Sequence, residues 1–113
     1  MTFRKEMPAE AKAQESRRGV RVNSRVPVVI EWDAQASSTP EREKAHTCVV
    51  NCYGCLLVAP HELPLEQQLR VTNLATKRSL DAVVVWKGKH RVEGWELGVK
   101  LVNPDMEFWG LEL

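Results

Sequence analysis

Hydrophobic and polar residues alternate with a period of two along much of this chain. The first alternating segment spans residues 26–32, and further runs rich in Val, Leu and aromatic residues occupy 47–58, 69–73, 80–86 and 95–101. A period of two with many β-branched residues is typical of strands that bury one face. Asn51 and Gly54 interrupt the second run, and they predict a tight turn or a bulge within it.

The segments between these runs predict loops and one helix. Ser, Thr, Pro and charged residues dominate 33–44, which predicts a surface loop, and residues 87–91 predict a polar turn. Near the end of the chain, Asn103, Pro104 and Asp105 resemble the cap and first turn of a short C-terminal helix. Many short strands with little helix indicate an all-β fold, and we expect a small antiparallel barrel or sandwich.

The domain organisation follows from length and composition. A chain of 113 residues suffices for one domain with one core. Residues 1–16 are polar without an apolar period, so we expect a disordered leader, followed by a single domain over 17–113. No apolar run approaches the roughly 20 residues that span a bilayer, and no apolar run follows the first charges as in a secretory signal. We therefore expect a cytoplasmic protein without membrane contact.

Charge is distributed unevenly along the chain. The net charge is +1, but residues 1–25 carry seven Lys/Arg and three Glu, and the remainder carries nine Lys/Arg and twelve Asp/Glu. Four of these arginines cluster just before the first strand: Arg17, Arg18, Arg21 and Arg25. Such an arm indicates binding of an anion, although a solvated tail has the same composition. The acidic excess after residue 25 argues against a broad nucleic-acid-binding surface.

Candidate catalytic and metal-binding groups are sparse. Cys48, Cys52 and Cys55 lie close together, but a zinc site needs four ligands and no second pair of cysteines exists. We interpret these cysteines as small apolar filling in a reducing compartment. The three histidines lie in polar segments, and no nucleophile–base or phosphate-loop motif is present. We therefore expect neither enzymatic activity, nor a metal, nor a cofactor.

The arrangement of these segments resembles the PilZ family, the small β-barrels that bind the bacterial second messenger cyclic di-GMP. The R-x-x-x-R motif of that family is similar to RRGVRVNSRVPV, which immediately precedes the first apolar strand here. The second motif, [D/N]-x-S-x-x-G, is similar to the segment from Thr47 to Leu56 when Gly54 takes the glycine position. In that register Val49 replaces the acidic residue and Asn51 the serine; if Asn51 instead comes first, Tyr53 replaces the serine. The second motif is degenerate in either register.

The resemblance implies a fold, a ligand and a set of binding residues. The fold is a six-stranded antiparallel barrel with a short C-terminal helix and an N-terminal arm. The function is that of a non-catalytic bacterial receptor or adaptor whose arm orders over cyclic di-GMP and alters the surface met by a protein partner. The ligand-binding residues would be Arg17, Arg18, Arg21, Arg25, Asn51, Gly54 and Gly98. The alternative is a degenerate PilZ-like module that binds a protein partner and no nucleotide.

Overall fold

The computed structural model describes residues 21–34 and 39–110, which form seven β-strands. In chain order these are β1 (Val22–Asn23), β2 (Pro27–Trp32), β3 (Glu41–Asn51), β4 (Gly54–Ala59), β5 (Gln68–Asn73), β6 (Ser79–His90) and β7 (Trp95–Leu101). The predicted leader over 1–16 and the candidate residues Arg17 and Arg18 lie outside the described ranges. Over these ranges, no helix has the length and apolar character needed to cross a membrane.

Six of the strands close into a barrel. β2 pairs with β3 and β5, β6 pairs with β5 and β7, and β4 pairs with β7 and β3, so that the ring closes without a gap. Every pairing is antiparallel, which confirms the prediction of an all-β, six-stranded antiparallel barrel. β1 is an additional short strand that pairs with the end of β3.

The period-two pattern places alternate side chains inside the barrel. On β2 the inward residues are Val28, Ile30 and Trp32, and on β7 they are Leu97, Val99 and Leu101. Each fully buried side chain of this size contributes about 1.5–3 kcal/mol of hydrophobic stabilisation. The opposite side chains of the same strands form the outer face of the barrel, where the candidate residue Gly98 lies.

Charged residues extend β3 into the segment predicted as a loop. β3 begins at Glu41, because its polar first half is paired along its length with β2. Arg42 on β3 faces Glu31 on β2, with 2.9 Å between guanidinium and carboxylate. Glu31 also pairs with Arg70 on β5, and Arg70 pairs with Asp81 on β6. The resulting row alternates in charge from strand to strand, an arrangement that favours cross-strand pairing. The charged residues from Glu41 onward therefore belong to a strand, although their composition predicts a loop.

The hairpin of β6 and β7 is longer than the sequence pattern predicts. β6 continues through the predicted turn at 87–91 and ends at His90, and the reversal lies at Arg91–Gly94. Pairing with β5 ends at Val83, so the described part of β6 beyond that point pairs with β7 alone. This extension carries Lys87 and Lys89 and two irregularities of register.

The predicted C-terminal helix is wrong, since residues 106–109 form only a turn. The Asp105 carboxylate accepts a hydrogen bond from the Glu107 backbone N–H at 2.8 Å, as a cap would, and pairs with Arg78 at 2.6 Å. The Asp105 backbone N–H, however, donates to the Cys52 carbonyl oxygen at 2.9 Å. The barrel therefore engages this segment at successive points, and the chain passes over the barrel end without forming the repeated turns of a helix.

Two aromatic side chains of this segment close one end of the barrel. Phe108 is fully buried and Trp109 nearly so, and their rings meet edge to face at 4.8 Å between centroids. The Asn73 side-chain amide donates to the Phe108 carbonyl oxygen at 2.9 Å, and the Trp109 indole N–H donates to the Asn51 carbonyl oxygen at 2.8 Å. The segment that carries Phe108 and Trp109 is thus fixed to β5 and to the β3–β4 turn.

Phe108→Ala is expected to lower the free energy of unfolding by about 3–5 kcal/mol, because it empties the closed end of the barrel. Met106→Ala, in the same segment at a 48% exposed side chain, is the matched control and should change stability by less than about 0.5 kcal/mol. Urea unfolding followed by circular dichroism measures both. Equal losses in the two variants would contradict the closing role of Phe108.

Candidate functional site

The tight turn between β3 and β4 forms the centre of the candidate site. The Asn51 side-chain oxygen accepts hydrogen bonds from the Tyr53 backbone N–H at 2.8 Å and the Gly54 backbone N–H at 3.0 Å. Gly54 is required by close packing, because a β-carbon there would overlap the carbonyl oxygen of Val99 on β7. The sequence prediction of a turn at Asn51–Gly54 is confirmed, and it brings the backbones of β4 and β7 close together.

An open cavity of about 510 Å³ lies on the outer face of the barrel above this turn. Four of the residues predicted to bind the ligand line it together: Arg21, Asn51, Gly54 and Gly98. Asn51, Gly54 and Lys100 follow one another as cross-strand partners on β3, β4 and β7, and Arg21 directly precedes the Val22–Val50 pair. We refer to this space as the basic cavity, because among the described residues its charged lining consists of Arg21 and Lys100.

Trp86 forms an aromatic wall of the basic cavity. A shift of register between Val84 and Trp86 turns both Val85 and Trp86 outward, and the Trp86 side chain is 48% exposed. A β-carbon at Gly98 would come within 2.8 Å of the Trp86 β-carbon, and one at Gly88 would overlap the far edge of the indole ring. The two glycines therefore make room for the indole to lie along the sheet surface with part of its area open to solvent.

The position of Arg21 depends on the hydroxyl of Thr47, which is completely buried. This hydroxyl accepts a hydrogen bond from the Val26 backbone N–H at 2.8 Å and donates one to the Ser24 carbonyl oxygen at 2.5 Å. The Ser24 backbone N–H in turn donates to the Cys48 carbonyl oxygen at 3.1 Å. These bonds fix the link between β1 and β2, so that β1 continues along β3 and carries Arg21 to the cavity.

The electrostatics of the basic cavity favour an anion. In the described part of the chain, neither Arg21 nor Lys100 forms an ion pair. Several other cations do, namely Arg42, Arg70, Arg78, Lys87 and Arg91. Glu96 lies two residues before Gly98 on β7, and it is engaged with Arg91 at 2.7 Å. The hydrogen bond from Arg91, with a second from the Lys89 backbone N–H, lowers the pKa of the Glu96 carboxyl. Its charge is therefore compensated locally and leaves the cavity cations uncompensated.

A second open cavity on the barrel has the opposite charge. It measures about 630 Å³, and its charged lining residues in the described chain are Glu31, Asp33, Arg70 and Asp81. An anionic ligand is repelled by this excess of carboxylates. Of the two cavities, the basic cavity is therefore the one whose charge suits an anion.

Arg25 lies apart from the other candidate residues. It lines a separate shallow groove with Lys44, His46 and Leu74 and is absent from the lining of the basic cavity. Burial and then the positive charge of Arg25 lower the pKa of the His46 imidazole. The structure therefore brings Arg21, Asn51, Gly54 and Gly98 together and leaves Arg25 outside this group.

The predicted set of binding residues omits the other residues that line the basic cavity, among them Trp86 and Lys100. For Lys100 the signal was available, because Gly98 and Lys100 are two apart on an alternating strand and so share the outer face. For Trp86 the signal was concealed, because the irregularity at Val85 reverses the face that strict alternation predicts.

The cysteines contribute packing and no identified chemistry. Cys55 packs against the barrel core, and burial raises the pKa of its thiol well above the ordinary value, which favours the neutral thiol. Cys52 is buried, and Cys48 is partly buried at the irregularity of β3. Within the ranges 21–34 and 39–110, no three His, Cys, Asp or Glu side chains are grouped so that they could hold a metal ion.

Thr47→Val is expected to lower the free energy of unfolding by about 1–3 kcal/mol, because it leaves the Val26 N–H and the Ser24 carbonyl without their buried partner. Thr72→Val is the matched control, since the Thr72 hydroxyl bonds to Ser79 on the exposed surface. Urea unfolding compares the two variants, and hydrogen exchange at the Val26 amide should accelerate in Thr47→Val. Equal stability losses with unchanged exchange at Val26 would contradict this role.

The His46 imidazole is expected to titrate below its ordinary value of 6.5, because burial and Arg25 both disfavour the charged ring. The unfolded chain then binds more protons, so the free energy of unfolding should fall as the pH drops from about 6.5 through the folded-state pKa. NMR titration of the His46 ring measures the pKa, and Arg25→Gln should raise it. A pKa at or above 6.5 in the unaltered protein would contradict the expectation.

Comparison with known proteins gives no match to a family model, to a curated protein or to a solved structure. The six-stranded barrel is established by its own strand pairing, and the resemblance to the PilZ family stays a prediction.

Proposed function

We propose that this protein is a non-catalytic, PilZ-like receptor or adaptor that binds cyclic di-GMP in the basic cavity. The observation that carries the proposal is the combination of uncompensated positive charge with a half-exposed indole in one open cavity. A nucleotide has the matching chemistry, because it joins an anionic phosphate to a flat aromatic base. The cavity volume of about 510 Å³ also falls within the range typical of small-molecule sites.

Arg21 is the residue assigned to the phosphate. A guanidinium binds phosphate through two parallel hydrogen bonds and also stacks on a base, which a lysine does less well. Arg17 and Arg18 would add further guanidinium groups from the preceding arm, within the R-x-x-x-R spacing that ends at Arg21. The separate groove of Arg25 favours Arg21 over Arg25 as the principal contact.

The base would lie on the floor of the cavity. Trp86 offers an aromatic surface for stacking, and Gly54 and Gly98 line the same cavity without a side chain. The Asn51 oxygen is already bonded to two backbone N–H groups, so the amide nitrogen is the atom of this side chain that we assign to a base edge. Closing of the arm over the ligand would change the surface that a protein partner meets.

The alternative is a PilZ-like interaction module that binds a protein partner without nucleotide. Val49 favours it, because this cavity-lining side chain provides no hydrogen-bond acceptor where the family motif has an acidic residue. Tyr53, Val85 and Trp86 are exposed apolar side chains around the same cavity, and such a patch also suits a protein surface.

Calorimetric titration with cyclic di-GMP at moderate salt tests the proposal. We expect saturable binding, and we expect Arg21→Ala to weaken it by at least about 10- to 150-fold, since each hydrogen bond to a charged group contributes about 1.5–3 kcal/mol. Arg70→Ala is the matched control, because Arg70 is exposed and lines the second cavity, whose charged residues are mostly carboxylates. The affinity of Arg70→Ala for cyclic di-GMP should remain within about two-fold of that of the unaltered protein.

The absence of heat at high micromolar cyclic di-GMP, in a protein whose circular dichroism shows a folded barrel, would remove the receptor proposal and leave the interaction module. Equal weakening by Arg21→Ala and Arg70→Ala would mean that binding occurs outside the basic cavity.

A further inference from the structure

Lys100 occupies the side of the basic cavity opposite to Arg21. It pairs with Gly54 on β4 and with Val83 on β6, and its side chain is exposed and lines the cavity. Arg21, Asn51, Gly54 and Lys100 come from β1 or its start, β3, β4 and β7, which are successive neighbours on the barrel surface. Three strand spacings separate the backbones of Arg21 and Lys100, or about 14 Å.

Two residues, Asn51 and Gly54, lie between the two cations. The Asn51 side chain is folded back onto the Tyr53 and Gly54 backbone N–H groups, and Gly54 contributes no side chain. Both cationic side chains are long enough to reach a ligand that lies over Gly54 from opposite sides. A ligand with a single anionic group would engage one of them, whereas a ligand with two would engage both.

The charge of Lys100 is also uncompensated, in contrast to that of neighbouring cations. Lys87 pairs with Glu62 at 2.8 Å and Arg91 pairs with Glu96 at 2.7 Å, but no described carboxylate pairs with Lys100. Because Glu96 is already engaged, the nearest acidic residue on β7 does not neutralise Lys100. The cation is therefore available to a ligand.

We infer that Lys100 is the second anion-binding residue of the basic cavity and that the site selects ligands carrying two phosphoryl groups. This inference rests on the proposed function for the identity of the ligand, and it assigns to Lys100 a role that the arginine arm does not fill. Arg21 holds one phosphoryl group and Lys100 the other, with the ligand spanning Gly54.

The test compares Lys100→Gln with Lys44→Gln in binding to cyclic di-GMP. Lys44 is a matched control, because it is an exposed strand lysine without an ion pair in the described chain and it lines the Arg25 groove. Lys100→Gln should weaken binding about ten-fold at low salt, whereas Lys44→Gln should change it by less than about two-fold. Lys100→Arg should restore most of the affinity.

Salt dependence distinguishes a binding role from a structural one. Raising the ionic strength from about 0.1 to 1 M shortens the screening length from about 10 to 3 Å, so the advantage of the unaltered protein over Lys100→Gln should shrink. An advantage that stays constant with salt, or equal affinities of Lys100→Gln and Lys44→Gln, would overturn the inference and leave the proposed function intact.

A second probe, inorganic pyrophosphate, separates failure of this inference from failure of the proposed function. Amide shifts at Gly54 and Gly98 that saturate with millimolar pyrophosphate and vanish in Lys100→Gln would support Lys100, even if cyclic di-GMP does not bind. Absence of shifts with both probes would overturn the inference together with the receptor proposal.

Discussion

The buried hydroxyl of Thr47 is the constraint on which the geometry of the basic cavity depends. The chain leaves β1 and enters β2 through three residues, and these residues would have unpaired backbone groups next to the core without a side-chain partner. One hydroxyl satisfies a donor and an acceptor on this link at once. Because an unsatisfied buried group costs about 1–3 kcal/mol, the path of the link is fixed, and the position of Arg21 with it. The two pairs of β1 with β3, Val22–Val50 and Asn23–Val49, then need only extend that path.

The β3–β4 turn connects the cavity to the closed end of the barrel. Its Asn51 side chain orders the turn from within, while the carbonyl oxygens of Tyr53, Cys52 and Asn51 accept hydrogen bonds from Leu101 at the end of β7 and from Asp105 and Trp109 after it. The turn therefore holds the segment that carries Phe108 and Trp109 and also lines the cavity. A ligand that displaces the turn would act on both, which gives the barrel a physical route from the cavity to its C-terminal segment.

The sequence predicts those features that depend on local pattern. The alternation in β2 and β7, the turn at Asn51–Gly54 and the all-β architecture follow from period and turn chemistry. The same pattern does not distinguish a barrel from a sandwich, because closure depends on pairing between strands that are distant in the chain. The first half of β3 was missed because its charged residues have the composition of a loop. They form a strand because they pair with β2, where Glu31 and, beyond it, Arg70 supply alternating charges. The helix at Asn103–Asp105 was predicted from capping residues alone, but the bond from Asp105 to Cys52 is a tertiary contact.

The aromatic wall was missed because one irregular residue, Val85, changes the outward face of β6. In the arginine arm, spacing predicts no distinction between Arg21 and Arg25, and the link at Thr47 is what separates them in space.

The extension of β6 beyond the barrel bears on how the molecule avoids associating with copies of itself. A closed barrel has no free edge. On β6 the Val84 backbone groups still bond to Glu66 and Gln67, but the described strand residues after Val84 pair with β7 alone, and an edge of this kind invites another strand. Lysines at positions 87 and 89 place charge along it, and two interruptions of regular pairing bend it away from the straight geometry that a docking strand requires. The long hairpin can therefore project from the barrel and present Trp86 without becoming a nucleus for intermolecular sheet growth.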